Sequence, residues 1–337
     1  MLSDVAGLTV GHHHVWATGC TVVMTDAPAT AAVDVRGGGP GTRETDLLDP
    51  SHSVQKVDAV LLTGGSAYGL AAADGVMTYL EQHRRGVRMG RDDRVVPIVP
   101  AAVIFDLPVG DWSTRPDSEF GAAAAAAAST EFALGSVGAG TGARAGVLKG
   151  GVGSASTLIE SGPAAGLTVS ALMVCNPVGS VFDPATGILW GASSAADLRL
   201  RTPDASDVAA AADLAPKETS LNTTIGVVAT DAALTSSGCR RLAVAAHDGV
   251  ARAIRPAHSP MDGDTVFALA TARTVPTGAP ESGVDPDGMM LPDLAVLDGL
   301  CTAAAQVVER AIVCAILEAT AVAGIPTYRE VFPSSGA

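Results

Sequence analysis

Aromatic residues are scarce in this chain of 337: six Phe, three Tyr and three Trp make up 4% of it. A core with so few flat rings must be filled by aliphatic and small side chains. The 38 glycines and many alanines suit layers of helix and sheet whose backbones approach closely. Basic residues are few as well. Twenty-one Lys and Arg face 35 Asp and Glu, for a formal net charge of −14. With no basic block present, nucleic acid and anionic membrane surfaces are not expected partners. The five cysteines (Cys20, Cys175, Cys239, Cys301, Cys314) are scattered, odd in number and never spaced C-x-x-C. Reduced, mostly buried thiols fit that pattern better than a disulfide framework does. Residues 1–5 show no basic n-region leading into a long apolar stretch, so no secretory leader is expected, and no uninterrupted apolar run reaches the ~20 residues that span a bilayer. The expectation is a cytoplasmic globular protein with a large core, whose partners are small molecules or its own copies.

Along the chain, residues 7–13, 20–25 and 29–35 read as three short strands separated by turns. His12, His13 and His14 invite a metal reading, but only alternate strand residues share a face, and no acid or thiol lies near them in sequence, so no metal is expected. The loop 37–46 has turn chemistry that suits approach to a ligand or a neighbouring subunit. Residues 57–63 read as a buried strand, and Gly64-Gly65-Ser66-Ala67-Tyr68-Gly69 leads from it into a helix over 70–83. This turn lacks the Gly-Lys-Ser/Thr of a phosphate loop, the G-x-G-x-x-G of a dinucleotide site and the last glycine of a nucleophile elbow. What remains is a helix start whose amides could face a substrate carbonyl, or tight strand-to-helix packing. An alanine-rich helix is expected over 119–129. The glycine-dense tract 135–153 reads as backbone lining a cavity or as closely packed loops. Residues 167–174 form another expected strand, ending in Cys175-Asn176-Pro177, where the Asn176 amide could face an oxyanion or simply form a turn. Residues 198–221 read as a mobile linker, 236–254 as a helix, and 291–322 as a long apolar helical stretch interrupted at Asp298-Gly299, with a docked tail over 324–332.

The chemistry concentrates where the linker meets Leu221-Asn222-Thr223-Thr224-Ile225-Gly226-Val227-Val228. The β-branched run predicts a buried strand with Thr223 at its start. A threonine there can attack the Asn222 carbonyl, break the chain, and be left with an α-amine of pKa about 8 beside its own hydroxyl. Nucleophile and base then sit in one residue. Further on, Asp262-Gly263-Asp264 places two carboxylates at the mouth of a strand, close enough for repulsion to raise one pKa toward proton transfer; an exposed turn is the bland alternative.

Taken together, Thr63-Gly64-Gly65-Ser66-Ala67-Tyr68-Gly69-Leu70, Ala102-Val103-Ile104-Phe105-Asp106, Asn176-Pro177-Val178-Gly179, Asn222-Thr223-Thr224 and Met261-Asp262-Gly263-Asp264-Thr265 resemble the DmpA family. That family holds L-aminopeptidase/D-amidase-esterases, β-peptidyl aminopeptidases and nylon-oligomer hydrolase. The likeness runs over residues 7–332 with the motifs in family order. Asp262 and Asp264 stand 39 and 41 positions beyond Thr223, as in the nylon-hydrolase branch. The resemblance implies an α/β fold, a four-layer αββα sandwich like that of N-terminal-nucleophile hydrolases but differently connected. It also implies self-cleavage into an α chain (1–222) and a β chain (223–337), a homo-oligomer expected to be a tetramer, a small peptide or amide substrate, and no cofactor. On the same matching, Thr223 would be the nucleophile, Asn176 would contact the oxyanion, Asp262 and Asp264 would orient the Thr223 amine and hydroxyl, and Gly64, Gly65, Ser66, Tyr68 and Phe105 would bind substrate. The chain departs from the family pattern in carrying Phe105 for a tyrosine, and Val147 where a lysine follows a glycine, with Lys149 displaced by two. Two rival readings use the same residues: acyl transfer from Thr223 to an amine, as in ornithine acetyltransferases, and a non-catalytic oligomeric scaffold that never cleaves.

Overall fold

The computed structural model describes residues 1–90, 93–215, 221–278 and 293–336. Leu8–Val15 (β1) and Thr18–Val35 (β2) form an antiparallel hairpin that opens the chain. There follow Thr42–Arg43 (β3), Lys56–Thr63 (β4), Ala72–Gln82 (α1), Val87–Arg88 (β5), Val95–Val96 (β6), Ala101–Val103 (β7), Ser118–Ala126 (α2), Arg144–Ala145 (β8) and Leu148–Lys149 (β9). The second half runs Gly151–Leu158 (β10), Thr168–Cys175 (β11), Ala205–Ala212 (α3), Ile225–Thr230 (β12), Ser236–Ala253 (α4), Thr265–Ala270 (β13), Leu294–Leu317 (α5) and Tyr328–Val331 (α6). Nine strands hydrogen-bond in the order β10-β11-β12-β13-β2-β4-β7-β3, with β1 also on β2.

β2 turns this single sheet into two layers. Where the sequence reading expects two strands and a turn, one strand of 18 residues runs through, kinked at a register shift against β4 between Met24 and Ala29. Asp26, Ala27 and Pro28 are exposed at that kink, and a bulge accommodates the proline that a regular central strand would exclude. Before the kink β2 pairs with β1 and β4; after it, residues 30–35 pair with β13.

Period-2 alternation then sorts the strand side chains into three cores. Val169, Ala171, Met173, Val228, Val266 and Ala268 face Leu242 and Val250 of α4 and Leu300, Val308 and Ile312 of α5. Their neighbours Leu172, Val174, Ile225, Val227 and Phe267 turn the other way and meet Val23, Val60 and Leu62. Beyond them, Cys20, Val22, Met24 and Leu61 face Val76 and Leu80 of α1 and Ala124 and Ala125 of α2. The layers are therefore helices, sheet, sheet, helices, as the family resemblance implies.

Several local expectations shift. Ser66–Ala71 is a 3-10 turn preceding α1, and α2 starts at the Asp117 N-cap, whose carboxylate accepts from the amides of Glu119 and Phe120. The stretch read as a linker contains α3. Asp298 and Gly299 lie inside α5 without breaking it. α5 is long and apolar enough to cross a bilayer by length and composition, yet 72% of its most apolar window is buried between α4 and the sheet. The tail docks through buried Tyr328 and Phe332, the latter edge-on to Phe182 with ring centroids 5.1 Å apart.

Close packing, more than cavity lining, explains the glycine tract. A Cβ on Gly153 of β10 would stand 2.0 Å from the Ala311 carbonyl oxygen and 2.3 Å from the Ala315 nitrogen, both in the backbone of α5. Gly153→Ala must therefore push α5 off the sheet. It should lower unfolding stability by about 1–3 kcal/mol, seen as a reduced urea midpoint with unchanged m; an unshifted midpoint would show the helix free to move.

Candidate active site at the Asn222–Thr223 junction

β12 is antiparallel to β11 and parallel to β13. The C-terminal end of β11 and the N-terminal ends of β12 and β13 consequently share one edge of the sheet. That geometry brings together Asn176, Asn222-Thr223 and Asp262-Gly263-Asp264, which lie far apart in sequence. All six are buried there.

The junction is held as a strand on both sides. Asn222 N donates to Met261 O (3.2 Å), Thr223 N to Asn176 O (2.9 Å), and Thr265 N to Thr224 O (3.1 Å). The Asn222 side chain donates Nδ2 to Pro177 O at 2.9 Å. The Thr223 hydroxyl donates to the Asn222 carbonyl oxygen, the oxygen of the peptide bond it would cut. Gly263 N donates to the same oxygen at 3.1 Å. A Cβ on Gly263 would stand 2.8 Å from both Thr223 Oγ1 and Gly39 O, so only glycine fits between hydroxyl and loop. Loop 37–39 is itself pinned to the acidic turn, with Gly39 N donating to Asp262 O at 2.7 Å and Gly37 N to Asp264 O at 3.3 Å. The loop thus approaches the candidate nucleophile's own turn.

The two carboxylates brace this arrangement. Asp264 Oδ1 accepts from Thr224 N (2.8 Å), and its Oδ2 from His258 N (3.1 Å) and His258 Nδ1 (2.8 Å). Asp262 accepts from Val178 N (3.0 Å) and Ser259 N (3.3 Å). In the intact chain they fasten the residues around Thr223, whose own amide nitrogen goes to Asn176 O. Burial first, and then the charge of Asp264, raise the Asp262 carboxyl above its ordinary range.

Asn176 Oδ1 accepts from Arg144 N (2.9 Å), and its Nδ2 lies 3.4 Å from Phe105 O. Phe105 is half-buried and edge-on to Trp112 at 6.4 Å. The expected substrate turn is occupied from within. Gly64 N donates to Gly19 O (2.9 Å), Gly65 N to Asp106 Oδ1 (2.6 Å) and Ser66 N to Ile104 O (3.0 Å), so tight packing takes these three amides. Gly65 has φ +80°, which a glycine adopts without strain. Tyr68 is exposed under the Arg115 guanidinium, 3.7 Å from its ring centroid. The turn therefore faces Gly19, Ile104 and Asp106, and its connection toward Asn176 runs through Phe105 and Asp106.

Three features escape sequence reasoning. Gly263's amide is a backbone donor without a side-chain signature. His258, in the loop that follows α4, grips Asp264 from a left-handed backbone position (φ +58°); its setting between two prolines just before the acidic pair is the available signal. Behind it, the His247 ring lies edge-on at 4.8 Å, its Nε2 3.1 Å from Asp34 O, and burial pushes this imidazole down to about 4, so it stays neutral near pH 7. The histidine triplet serves locally: His12 Nδ1 meets Thr21 Oγ1 (2.9 Å) and Nε2 meets Ala133 O (3.1 Å), while His14 Nδ1 accepts from Gly138 N (3.3 Å). Among the described residues no group of three His, Cys, Asp or Glu side chains is placed to hold a metal ion.

With this geometry in view, solved structures with similar folds can be compared. A Burkholderia sp. beta-aminopeptidase superposes with a TM-score of 0.71 at 24% identity, over 100% of this chain and 94% of that one. An L-aminopeptidase D-Ala-esterase/amidase from Ochrobactrum anthropi, described as a variant of the Ntn hydrolase fold, gives 0.67 at 20% identity, over 95% and 86%. The fold is therefore that Ntn-hydrolase variant. The model of Peptidase family S58 matches residues 1–329, and the chain belongs to that family. Among sequence relatives, an uncharacterised aminopeptidase of Mycobacterium bovis is 54% identical over 99% of this chain and 98% of its own. A 6-aminohexanoate-oligomer endohydrolase of Kocuria sp. is 34% identical over 80% and 74%.

Lys149, displaced from the family position, is fully buried, its Nζ donating to Gly140 O (2.8 Å) and Gly150 O (2.7 Å). Burial drives this amine down to about 7, against a smaller upward pull from Asp106, itself raised to about 6 by burial. A neutral amine keeps two N–H donors, matching the two carbonyls. Between about pH 7 and 10.5 the unfolded chain binds a proton at Lys149 that the folded chain does not, so stability rises with pH through that window. Lys149→Met should remove about 1–2 kcal/mol of the gain between pH 7 and 9 in urea unfolding. Equal slopes in wild type and variant would place the proton on the folded amine.

Proposed function

We propose that the chain cuts its own Asn222–Thr223 bond, giving an α chain (1–222) and a β chain (223–337). It then hydrolyses small peptides or amides through the freed Thr223. The observation that carries this reading is the Thr223 hydroxyl on the Asn222 carbonyl oxygen, with Gly263 N–H on that same oxygen. Oγ1 attacks the Asn222 carbonyl carbon while Gly263 N–H holds the developing oxyanion. The C–N bond breaks and the hydroxyl proton ends on the Thr223 nitrogen, leaving an ester on Oγ1 and a free amine. Water hydrolyses the ester to the Asn222 carboxylate and restores the hydroxyl.

In turnover a substrate carbonyl takes the place of the Asn222 carbonyl. The amine, of pKa about 8, takes the hydroxyl proton and passes it to the leaving amine. Asn176 O and the Asp264 carboxylate, one residue away on Thr224 N, hold that amine in place. The names of the relatives, aminopeptidase and 6-aminohexanoate-oligomer endohydrolase, support amide hydrolysis as the reaction.

Assembly into a homo-oligomer belongs to the same reading. Trp16 (69% exposed), Tyr68 and Trp112 stand out in a chain poor in aromatics, and all three border loop 108–116. Exposed aromatic anchors of this kind are characteristic of interface centres, and a second copy of the chain would cover them.

Intact mass of purified wild type should show two fragments, the smaller beginning at Thr223. Thr223→Ala should stay whole and lose amide turnover by at least about 10³-fold, while Thr223→Ser should keep both. Turnover by uncut Thr223→Ala would sink the mechanism, and a wild type that stays whole would favour the scaffold reading. Light scattering should give wild type the mass of several chains and Trp112→Asp a smaller one; a monomeric wild type refutes the assembly.

A further inference from the structure

The buried Asp264 carboxylate is fastened at both oxygens, from two different parts of the chain. Oδ1 takes Thr224 N, one residue past the candidate nucleophile (2.8 Å). Both hydrogen bonds on Oδ2 come from a single residue, His258, through its backbone N (3.1 Å) and its ring Nδ1 (2.8 Å). Because a carboxylate only accepts, the ring carries its proton on Nδ1 and donates it.

Where Asp264 stands decides how the acidic turn meets the junction. Asn222 and Asp262 form a parallel bridge, and Gly263 N donates to the Asn222 carbonyl oxygen (3.1 Å). The same oxygen accepts from the Thr223 hydroxyl. Residues 222–224 and 262–264 therefore run side by side, and the bond from Thr224 N to Asp264 Oδ1 ties their inner ends together. A carboxylate held only at Oδ1 can turn about its side-chain bonds and let that register slacken. Reaction at the Asn222 carbonyl depends on the register, since a misplacement of about 1 Å costs an attacking group much of its advantage.

His258 is itself held for this task. Its φ of +58° lies in the left-handed region, where a residue other than glycine persists only if its surroundings fix it. Two hydrogen bonds to Asp264 fix it on one side. On the other its ring meets the His247 ring edge-on, with centroids 4.8 Å apart and planes at 76°. His247, buried on α4, is anchored through Nε2 to Asp34 O (3.1 Å), and the Asp34 carboxylate is in turn clamped by Arg36 Nε (2.7 Å) and Arg240 Nη2 (2.6 Å). A braced line thus runs from α4 and the end of β2 through His258 to Asp264 and the start of β12.

We infer that His258 is a positioning residue for self-cleavage: its Nδ1–H fixes the Asp264 carboxylate, which through Thr224 N keeps Thr223 Oγ1 and Gly263 N–H together on the Asn222 carbonyl. The inference rests on the proposed cut before Thr223 and adds to it a residue outside the acidic pair.

Gly, Asn and Asp all accept a left-handed backbone, so three substitutions at this position keep the turn and vary the donor. In His258→Asn the Nδ2 donor branches from Cγ as Nδ1 does in histidine; His258→Asp has the same shape with an acceptor there, and His258→Gly has no side-chain group. Pulse-labelled chains made in vitro are chased, and the fragment beginning at Thr223 is followed by gel and mass. His258→Gly and His258→Asp should cut about 10- to 100-fold more slowly than wild type, the loss expected for a hydrogen bond to a charged group. His258→Asn should recover most of that rate, which a merely structural role for the loop would not predict. His258→Asp covers the case in which His258→Gly fails to fold, because it differs from the rescuing variant by one terminal group. Wild-type rates in both donor-less variants, or a His258→Asn as slow as His258→Asp, would overturn the positioning role while leaving the cut before Thr223 standing. A wild type that stays whole through the chase overturns the self-cleavage reading, and this inference with it.

Discussion

A strand with an antiparallel neighbour on one side and a parallel neighbour on the other has an unusual end. At the start of β12, the antiparallel partner β11 is just finishing and the parallel partner β13 is just beginning. Residues 176, 223 and 262–264 meet there because of strand direction, whatever their separation in sequence. The hydrogen bonds that continue the ladder past the ends of the strands then fix the Asn222–Thr223 bond on both sides. Backbone pairing supplies the positioning, and side chains supply the chemistry. In a purely antiparallel arrangement the start of β13 would lie at the far edge of the sheet, and Gly263 would not reach the Asn222 carbonyl.

The side chains of Asn176, Asn222, Thr223, Asp262 and Asp264 are buried at this edge, and each is bonded to main chain before it can serve a substrate. Asp262 and Asp264 together accept amides from Val178, Ser259, Thr224 and His258. Asp106 accepts from Gly65, and Lys149 gives to two carbonyls. Amide donors of this kind favour the ionised carboxylate and oppose the desolvation that would neutralise it. The result is a site whose carboxylates and amine are held in place by main chain, with little freedom to rearrange.

Much of this is legible in the residues. The β-branched run after Thr223, the Asp-Gly-Asp turn and the strand ending in Asn-Pro each carry a local signature, and the structure joins them. The four layers follow from the family resemblance more than from periodicity, since alternation names a strand's two faces but not what covers each. β2 is not legible as one strand because Pro28 and Asp26 are turn formers, and only pairing with β4 shows that the chain bulges and continues. The role of Gly64, Gly65 and Ser66 is hidden for a related reason. A glycine-rich turn shows that amides are close to something, but not that Gly19, Ile104 and Asp106 already accept from them. Gly263 and His258 lie beyond reach because a backbone donor has no signature, and a histidine six residues from its carboxylate needs the loop's shape to face it.

The place of α5 bears on the fate of the molecule after any break before Thr223. The helix lies in the C-terminal segment but packs on β10 and β11, and β12 itself is bonded to β11. Two fragments so interleaved would stay together in the native state without a covalent link. Their unfolding, however, would separate them, so refolding would require two molecules to meet and would depend on concentration. A single cut would thereby make the native assembly persist through its unfolding barrier more than through its equilibrium stability, with an apolar 24-residue helix exposed and prone to aggregate once the barrier is crossed.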